Sequence, residues 1–433
     1  MALSEDHPLR YPLVNELHAR PFARIDVPST VTYLAIKEPR DAANRDRAAD
    51  LAHLNALLAR AGAAPAPAAA THHTASLGRH ALRWESHTEF TTFMAHAPGL
   101  SARPFDPAEA EVFPEDWLAA APGKRIVAVS IRIQPLPEDP NEINEMLDEW
   151  FVSESLACAW VLEGAAVLAG DFRIDPAGQM RFAVFVAPGT GAGRVGRIVQ
   201  RVCEIETYRA VSMLGLGRAR ALSARLNALD PEISALVAGL AKAGAAGAER
   251  AEAALDRLLA VSAELEGLAV TNSFRFSATG AYEAIVKERV AVLRESRFEG
   301  RQKFSEFMLR RYDPAMRTTK SAEARLNAVL ERVGRAGELL RTRVDVERQA
   351  QNQKLLASMD RRADLQLRLQ HTVEGLSVVA ISYYALSIAG YLTYPVVKKL
   401  GLSKEMALAG LAPVVLIGVW LMVRRIRKGF GGH

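Results

Sequence analysis

Glu85, His87 and Glu89 recur at every second position of Ala81–Phe93, ALRWESHTEFTTF. A strand there would place two carboxylates and an imidazole on one sheet face. Carboxylate oxygens and a neutral imidazole are ligands for a divalent metal ion, so metal binding is one chemistry open to this stretch. Arg83 shares that face and can neutralise the acids, so a solvated outer face of an edge strand accounts for the same residues. Leu82, Trp84, Phe90 and Thr92 fall on the opposite face.

Three further groups invite a chemical reading. Gly191, Gly193 and Gly196 match G-x-G-x-x-G after a strand and before a helix. A dinucleotide site also needs a second parallel strand ending in an acid about 20 residues on. Here the same helix continues through Glu204 and Glu206, and no Lys-Ser/Thr pair makes a P-loop. A flexible turn that opens the helix accounts for the glycines. Glu204 and Glu206 have Arg201 and Arg209 one turn away, the spacing of structural ion pairs. His72 and His73 fall in a loop. Cys158 and Cys203 sit in apolar surroundings and read as reduced, buried thiols without a metal or redox motif. No Ser/His/Asp, Cys/His or zinc spacing stands out, so no catalytic residue and no cofactor is assigned.

The elements that would position these groups are α+β. Thr30–Lys37 reads as a strand, Asp41–Arg60 as a helix, and residues 61–70 as an Ala/Pro connector. Arg125–Pro135 is a strand and Asn141–Val152 a helix with Asn141 as its N-cap. Leu156–Leu162, Ala165–Ile174 and Met180–Val186 are three more strands. This order predicts a ferredoxin-like split βαβ unit in a mixed or antiparallel sheet, with helices on one face, over residues 1–190.

Residues 191–372 read as a long helical, coiled-coil-like stalk. One helix runs from Arg194 to Leu229 before Asp230-Pro231, another over Ala251–Leu265, and a third from Tyr282 to Tyr312. Ser321–Gln370 follows as a helix about 75 Å long. It carries a heptad-like seam at Leu326, Leu330, Val333, Leu340 and Val344, resumed at Leu355, Met359, Leu365 and Leu369. Such a helix packs in a bundle or a homo-oligomer.

Val373–Val397 and Met406–Val423 carry no charge past Glu374. Each is about 18–25 residues, against roughly 20 needed to cross a ~30 Å hydrocarbon layer, so residues 373–423 predict a two-helix transmembrane hairpin. The flanks carry seven cations (Arg361, Arg362, Arg368, Arg424, Arg425, Arg427 and Lys428) against three in the link (Lys398, Lys399 and Lys404). The bias predicts a two-pass protein of the inner membrane with both termini cytoplasmic, residues 424–433 forming a basic tail. Arg424, Arg425, Arg427 and Lys428 would lie among anionic headgroups. Ser377, Tyr384, Ser387, Tyr391 and Tyr394 recur near a 3.5-residue spacing. They can line a path or join helices in an oligomer, or serve as interfacial tyrosines and serines bonded to their own helix. A net charge of +5 without aromatic-interleaved basic motifs argues against nucleic acid.

Residues 7–22, HPLRYPLVNELHARPF, hold three prolines and resist regular structure. They read as an arm packed on the first domain, or as a ligand loop using His7, Arg10, Glu16, His18 and Arg20. With RVCEIETYRAVSMLGLGRA at 201–219 and the C-terminal hairpin, this opening resembles a bacterial family described as membrane-anchored proteins of unknown function. The resemblance covers the whole chain and implies an anchor but no activity. The ground plan also resembles CorA-type magnesium channels in architecture alone. Where those carry Gly-Met-Asn, this chain reads Tyr391-Leu392-Thr393-Tyr394-Pro395, and the lysines of the link repel cations. The sequence thus predicts an oligomeric, membrane-anchored sensing or scaffolding protein with a protein partner at the inner membrane, or a channel of CorA-like plan.

Overall fold

The computed structural model describes residues 6–11, 13–14, 22–39, 44–242, 248–399 and 403–430. Two compact units divide it, Met1–Lys242 with Arg257–Ala336, and Ala243–Asp256 with Gly337–His433.

The first unit is α+β. Its strands are β1 (Ser29–Lys37), β2 (His72–Leu77), β3 (His80–Ser86), β4 (Phe90–Pro98), β5 (Lys124–Pro135), β6 (Ala157–Val161), β7 (Ala166–Ile174), β8 (Met180–Val186) and β9 (Ser296–Arg297). They form a nine-stranded sheet in the order β2-β3-β4-β1-β5-β8-β7-β6-β9. Neighbours are antiparallel except β5 and β8, which run parallel. A helix and two strands separate β5 from β8 in the chain, yet the two are direct neighbours in the sheet.

The helices are α1 (Arg47–Arg60), α2 (Glu115–Ala119), α3 (Pro140–Trp150), α4 (Ala192–Lys242), α5 (Ala248–Val292), α6 (Phe304–Arg311), α7 (Asp313–Lys399) and α8 (Lys404–Phe430). Helices of the first unit cover both faces of the sheet, where the sequence pattern suggested one. Tyr33 and Ala35 of β1 pack with Ile198 and Val202 of α4 and Phe304 of α6. Leu34 and Ile36 pack on the other side with Leu54 and Leu58 of α1 and Trp117 of α2. All nine residues of β1 are therefore buried, as expected of a central strand covered on both sides.

Several boundaries differ from the sequence reading, each for a local reason. The helix of 41–60 begins at Arg47, capped by the Asp46 carboxylate; residues 40–43 lie outside the described residues. Asp139, not Asn141, caps α3, accepting from the Asn141 backbone N–H at 2.8 Å. Helix α4 runs through Pro231, because Leu229 and Ile233 on either side are buried and offset a proline cost of ~3 kcal/mol. The expected helix over Tyr282–Tyr312 breaks after Val292. Glu295 accepts the backbone N–H groups of Phe304 and Ser305 at 2.8 and 2.9 Å, so a new helix starts there, and Ser296–Arg297 joins the sheet edge beside β6.

In the second unit α7 continues to Lys399, so the helix of 321–370 and the first apolar run are one element. Arg348 of α7 pairs with Glu252 at 2.7 Å. Within the hairpin, a Cβ on Gly390 would stand 3.3 Å from Leu408 Cδ2, so the two helices approach closely there.

Candidate functional site

The stretch Ala81–Phe93 is two strands. Residues 87–89 form the connection between β3 and β4, and that connection changes the phase of the alternation. Register pairs Glu85 with Thr92 and Arg83 with Met94, and Met94 in turn with Tyr33 of β1. Phe90 and Thr92 consequently share the face of Arg83 and Glu85, while Leu82 and Trp84 join the core on the other side. The face expected to meet solvent is covered by α4. Gln200, Cys203, Glu204, Thr207 and Tyr208, spaced three and four apart, point down from that helix. Strands and helix line a cleft with ≈ 420 Å³ of empty space, open solvent included.

Charge crosses this cleft as a relay of bonds. Arg83 donates to Glu85 Oε1 from Nε at 2.8 Å and to Gln200 Oε1 from Nη1 at 3.1 Å. Gln200 donates to Glu204 Oε1 at 2.8 Å, and Arg289 of α5 donates to Glu204 Oε2 at 2.5 Å. On the floor, Tyr33 donates to Thr207 Oγ1 at 2.7 Å, since the Thr207 hydroxyl is itself committed to the Cys203 carbonyl at 2.8 Å. Burial, reinforced by the Cys203 thiol, holds the Tyr33 phenol well above its ordinary range. Burial next to Glu204 and Glu206 does the same for Cys203. Both groups are protonated at neutral pH, so the cleft presents neither a thiolate nor a phenolate.

Of the three metal-ligand candidates, the fold brings two together. His87 Nε2 lies 3.5 Å from Glu85 Oε2 and 3.4 Å from Thr92 Oγ1, and its ring stacks on Phe90 at 4.5 Å. Glu89 turns elsewhere. It is fully buried, paired with Arg275, 3.3 Å from Lys37 Nζ and 3.1 Å from the Tyr282 hydroxyl. Among the described residues no group of three His, Cys, Asp or Glu stands where it could hold a metal ion.

The other singled-out residues have structural surroundings. Gly196 packs against the backbone of Ala23, where a Cβ would fall 1.7 Å from the carbonyl oxygen. Ala192 O accepts from Ile25 N–H at 3.2 Å, so residues 23–25 lie along the start of α4. Glu206 pairs with Arg209 at 2.5 Å, whereas Glu204 takes Arg289 in place of Arg201. His72 and His73 begin edge strand β2. His7 and Arg10 belong to the described part of the opening; Glu16, His18 and Arg20 lie outside the described residues.

On the hairpin, Ser377 donates back to the Val373 carbonyl at 2.8 Å, and Tyr384, Tyr391 and Tyr394 are exposed. Ser387 is half-buried, and Ser382, which the spacing passed over, is buried. Arg424 lies over the Trp420 ring at 5.1 Å, with Arg425 beside it near the end of α8. The side chains of Arg427 and Lys428 lie outside the described residues.

Sequence reasoning missed the aromatic and α4 side of the cleft, Tyr33, Phe90 and Tyr208. Their periodicity signals core, and only the register brings them to Glu85. A family described as protein of unknown function (DUF3422) matches residues 5–430. No curated protein and no solved structure matches the chain.

Proposed function

Because the chain belongs to a family of unknown function, its own residues carry the reading, and we propose a two-pass inner-membrane protein whose α+β unit is a cytoplasmic binding module. One observation carries the membrane part. The apolar windows of α7 and α8 reach mean hydropathies of 1.5 and 2.4, yet 6% of each window is buried within the chain. Leu392 is 73% exposed and Val414 69%. Leaving such side chains in water forgoes roughly 1.5–3 kcal/mol each, which a bilayer restores. The Arg424–Trp420 pair suits the headgroup level, with Arg424 and Arg425 facing anionic lipid.

Binding rather than catalysis is supported by the cleft. Each carboxylate that lines it is engaged by an arginine, and its thiol is held protonated. A homo-oligomer is supported by Leu355, Met359, Leu365 and Leu369, all exposed along α7. A protein partner at the inner membrane would use the same helix.

Cysteine labelling tests the topology. Ser76→Cys on exposed β2 and Ser403→Cys in the link would be treated in spheroplasts with a membrane-impermeant maleimide. The expected result is labelling of S403C from outside and of S76C only after lysis. Equal labelling of both before lysis, or loss of the chain from membranes in alkaline carbonate, overturns the reading. Light scattering of the detergent-extracted chain tests the oligomer, and a monomeric mass refutes it.

A further inference from the structure

A second recess opens on the face of the sheet opposite α4. Leu34 of β1 lines it with Pro107 of the helical turn Pro107–Val112, with Phe113 and Pro114, and with Leu118 of α2. The β7–β8 turn adds Ala177 and Gln179. The recess offers ≈ 720 Å³ to water-sized spheres. Gln179 is its buried polar group. The Asp175 carboxylate accepts the backbone N–H of Gln179 at 2.9 Å, which closes the turn and sets the side chain just before β8. Gln179 is 6% exposed, yet its carboxamide oxygen has no hydrogen-bond partner among the described residues. A buried acceptor left unmet is destabilising, so a bound group that supplies an N–H is favoured there. Charge at the rim is divided. Arg125 lies on the same turn, where a Cβ on Gly178 would stand 2.7 Å from its Nη2. Glu111 and Glu115 line the recess from the helical turn and α2. These three are the charged residues of the lining; all are exposed, and none has a hydrogen bond or ion pair from its side chain among the described residues. The neighbouring acids are committed, Asp116 to Arg60 and Asp175 to the backbone N–H groups of Ala177 and Gln179.

We propose that this recess binds a short apolar peptide with free ends. Its carboxylate meets Arg125, its last peptide N–H donates to the Gln179 carboxamide oxygen, and its ammonium meets Glu111 and Glu115. A guanidinium fork fits a carboxylate, and an ammonium is a donor only, so each end of the peptide finds the opposite charge on its own wall. Aliphatic side chains lie against Leu34, Phe113 and Pro114. The volume is in the range of small-ligand sites. This rests on the binding-module reading of the α+β unit and is independent of the membrane anchor.

Calorimetry on the detergent-solubilised full chain provides the test, with the tripeptide leucyl-alanyl-leucine as probe. Its N-acetyl form lacks the ammonium, and its C-terminal amide lacks the carboxylate. The expected result is saturable binding of the free peptide, with each capped form about 3–10-fold weaker. Arg125→Gln should weaken the free peptide by the same roughly 3–10-fold and leave the amide unchanged. Glu111→Gln combined with Glu115→Gln should weaken the free peptide and leave the acetylated form unchanged. These three side chains are exposed, so the variants keep the fold. Gln179→Met keeps the length of the side chain without its acceptor and should weaken all three forms roughly 10-fold. Absence of saturable binding, equal affinity for the three forms, or an R125Q chain that loses acid and amide alike overturns the site while leaving the α4 cleft and the anchor standing. Gln179-dependent cleavage of the tripeptide would support the site and overturn the binding-module reading.

Discussion

Glu89 and Arg275 stand 186 residues apart in the chain and meet as a buried ion pair, joining the β3–β4 turn to the middle of α5. Lys37 completes the cluster from β1. Burial by itself would raise the Glu89 carboxyl, but Arg275, Lys37 and the Tyr282 hydroxyl outweigh it and hold it below its ordinary value. Burial likewise lowers Lys37, more than Glu89 raises it.

Glu89→Gln should therefore be among the most disruptive single changes. It leaves Lys37 and Arg275 as buried cations facing each other, a loss on the order of 3–5 kcal/mol in denaturant unfolding. The depressed carboxyl contributes stability above its unfolded value of 4.5 that is lost as pH falls through the lower folded value. The wild-type melting temperature should drop below pH 4.5, with a shallower drop in E89Q. Equal slopes would remove Glu89 as the source.

His53 makes a second, separable acid response. Its ring stacks on Trp117 at 4.0 Å, and burial together with Arg60 lowers it from 6.5 to about 4. The folded chain then binds fewer protons than the unfolded chain between these values, so stability declines as pH falls from 6.5 toward 4. The contribution is at most ~3 kcal/mol. His53→Phe keeps the stack and should flatten the melting-temperature profile over this window; an unchanged profile refutes the assignment.

Gly196→Ala tests the seat of the segment before β1. A methyl group there collides with the Ala23 carbonyl, which is backbone and cannot rotate away. Overpacking of this kind costs ~1–3 kcal/mol, and cleavage by trypsin at Arg24 should accelerate. An alanine variant with wild-type melting and cleavage would show that residues 23–25 are not held on α4.

The two thiols should be silent. Burial pushes Cys158 up to about 12 and Cys203 well above the ordinary thiol range. A chromogenic aromatic disulfide at pH 8 should detect no thiol in the folded chain and two after denaturation. Prompt reaction of the folded chain would contradict their burial.

Local pattern alone determined much of this protein. Two apolar runs with charged flanks determined a C-terminal pair of helices long and apolar enough to cross a membrane, because that is a matter of length and composition. TVTYLAIK and RIVAVSIRIQP determined strands, because β-branched residues in short runs favour the pleat. Arg83 could be named as the neutraliser of Glu85 from two-residue spacing on one face. Tertiary structure decided what depends on distant partners. The helix expected across 282–312 is interrupted because Glu295 captures the N–H groups of the next helix and β6 offers a sheet edge. Neither is visible in a helical periodicity. Glu85, His87 and Glu89 are evenly spaced in the chain, yet the β3–β4 turn sends Glu89 to Arg275 and leaves the other two against α4. Spacing sets which side chains can share a face; only the packing of α4 and α5 decides which charges they meet there, because the energy of a buried charge is set by its neighbours in space.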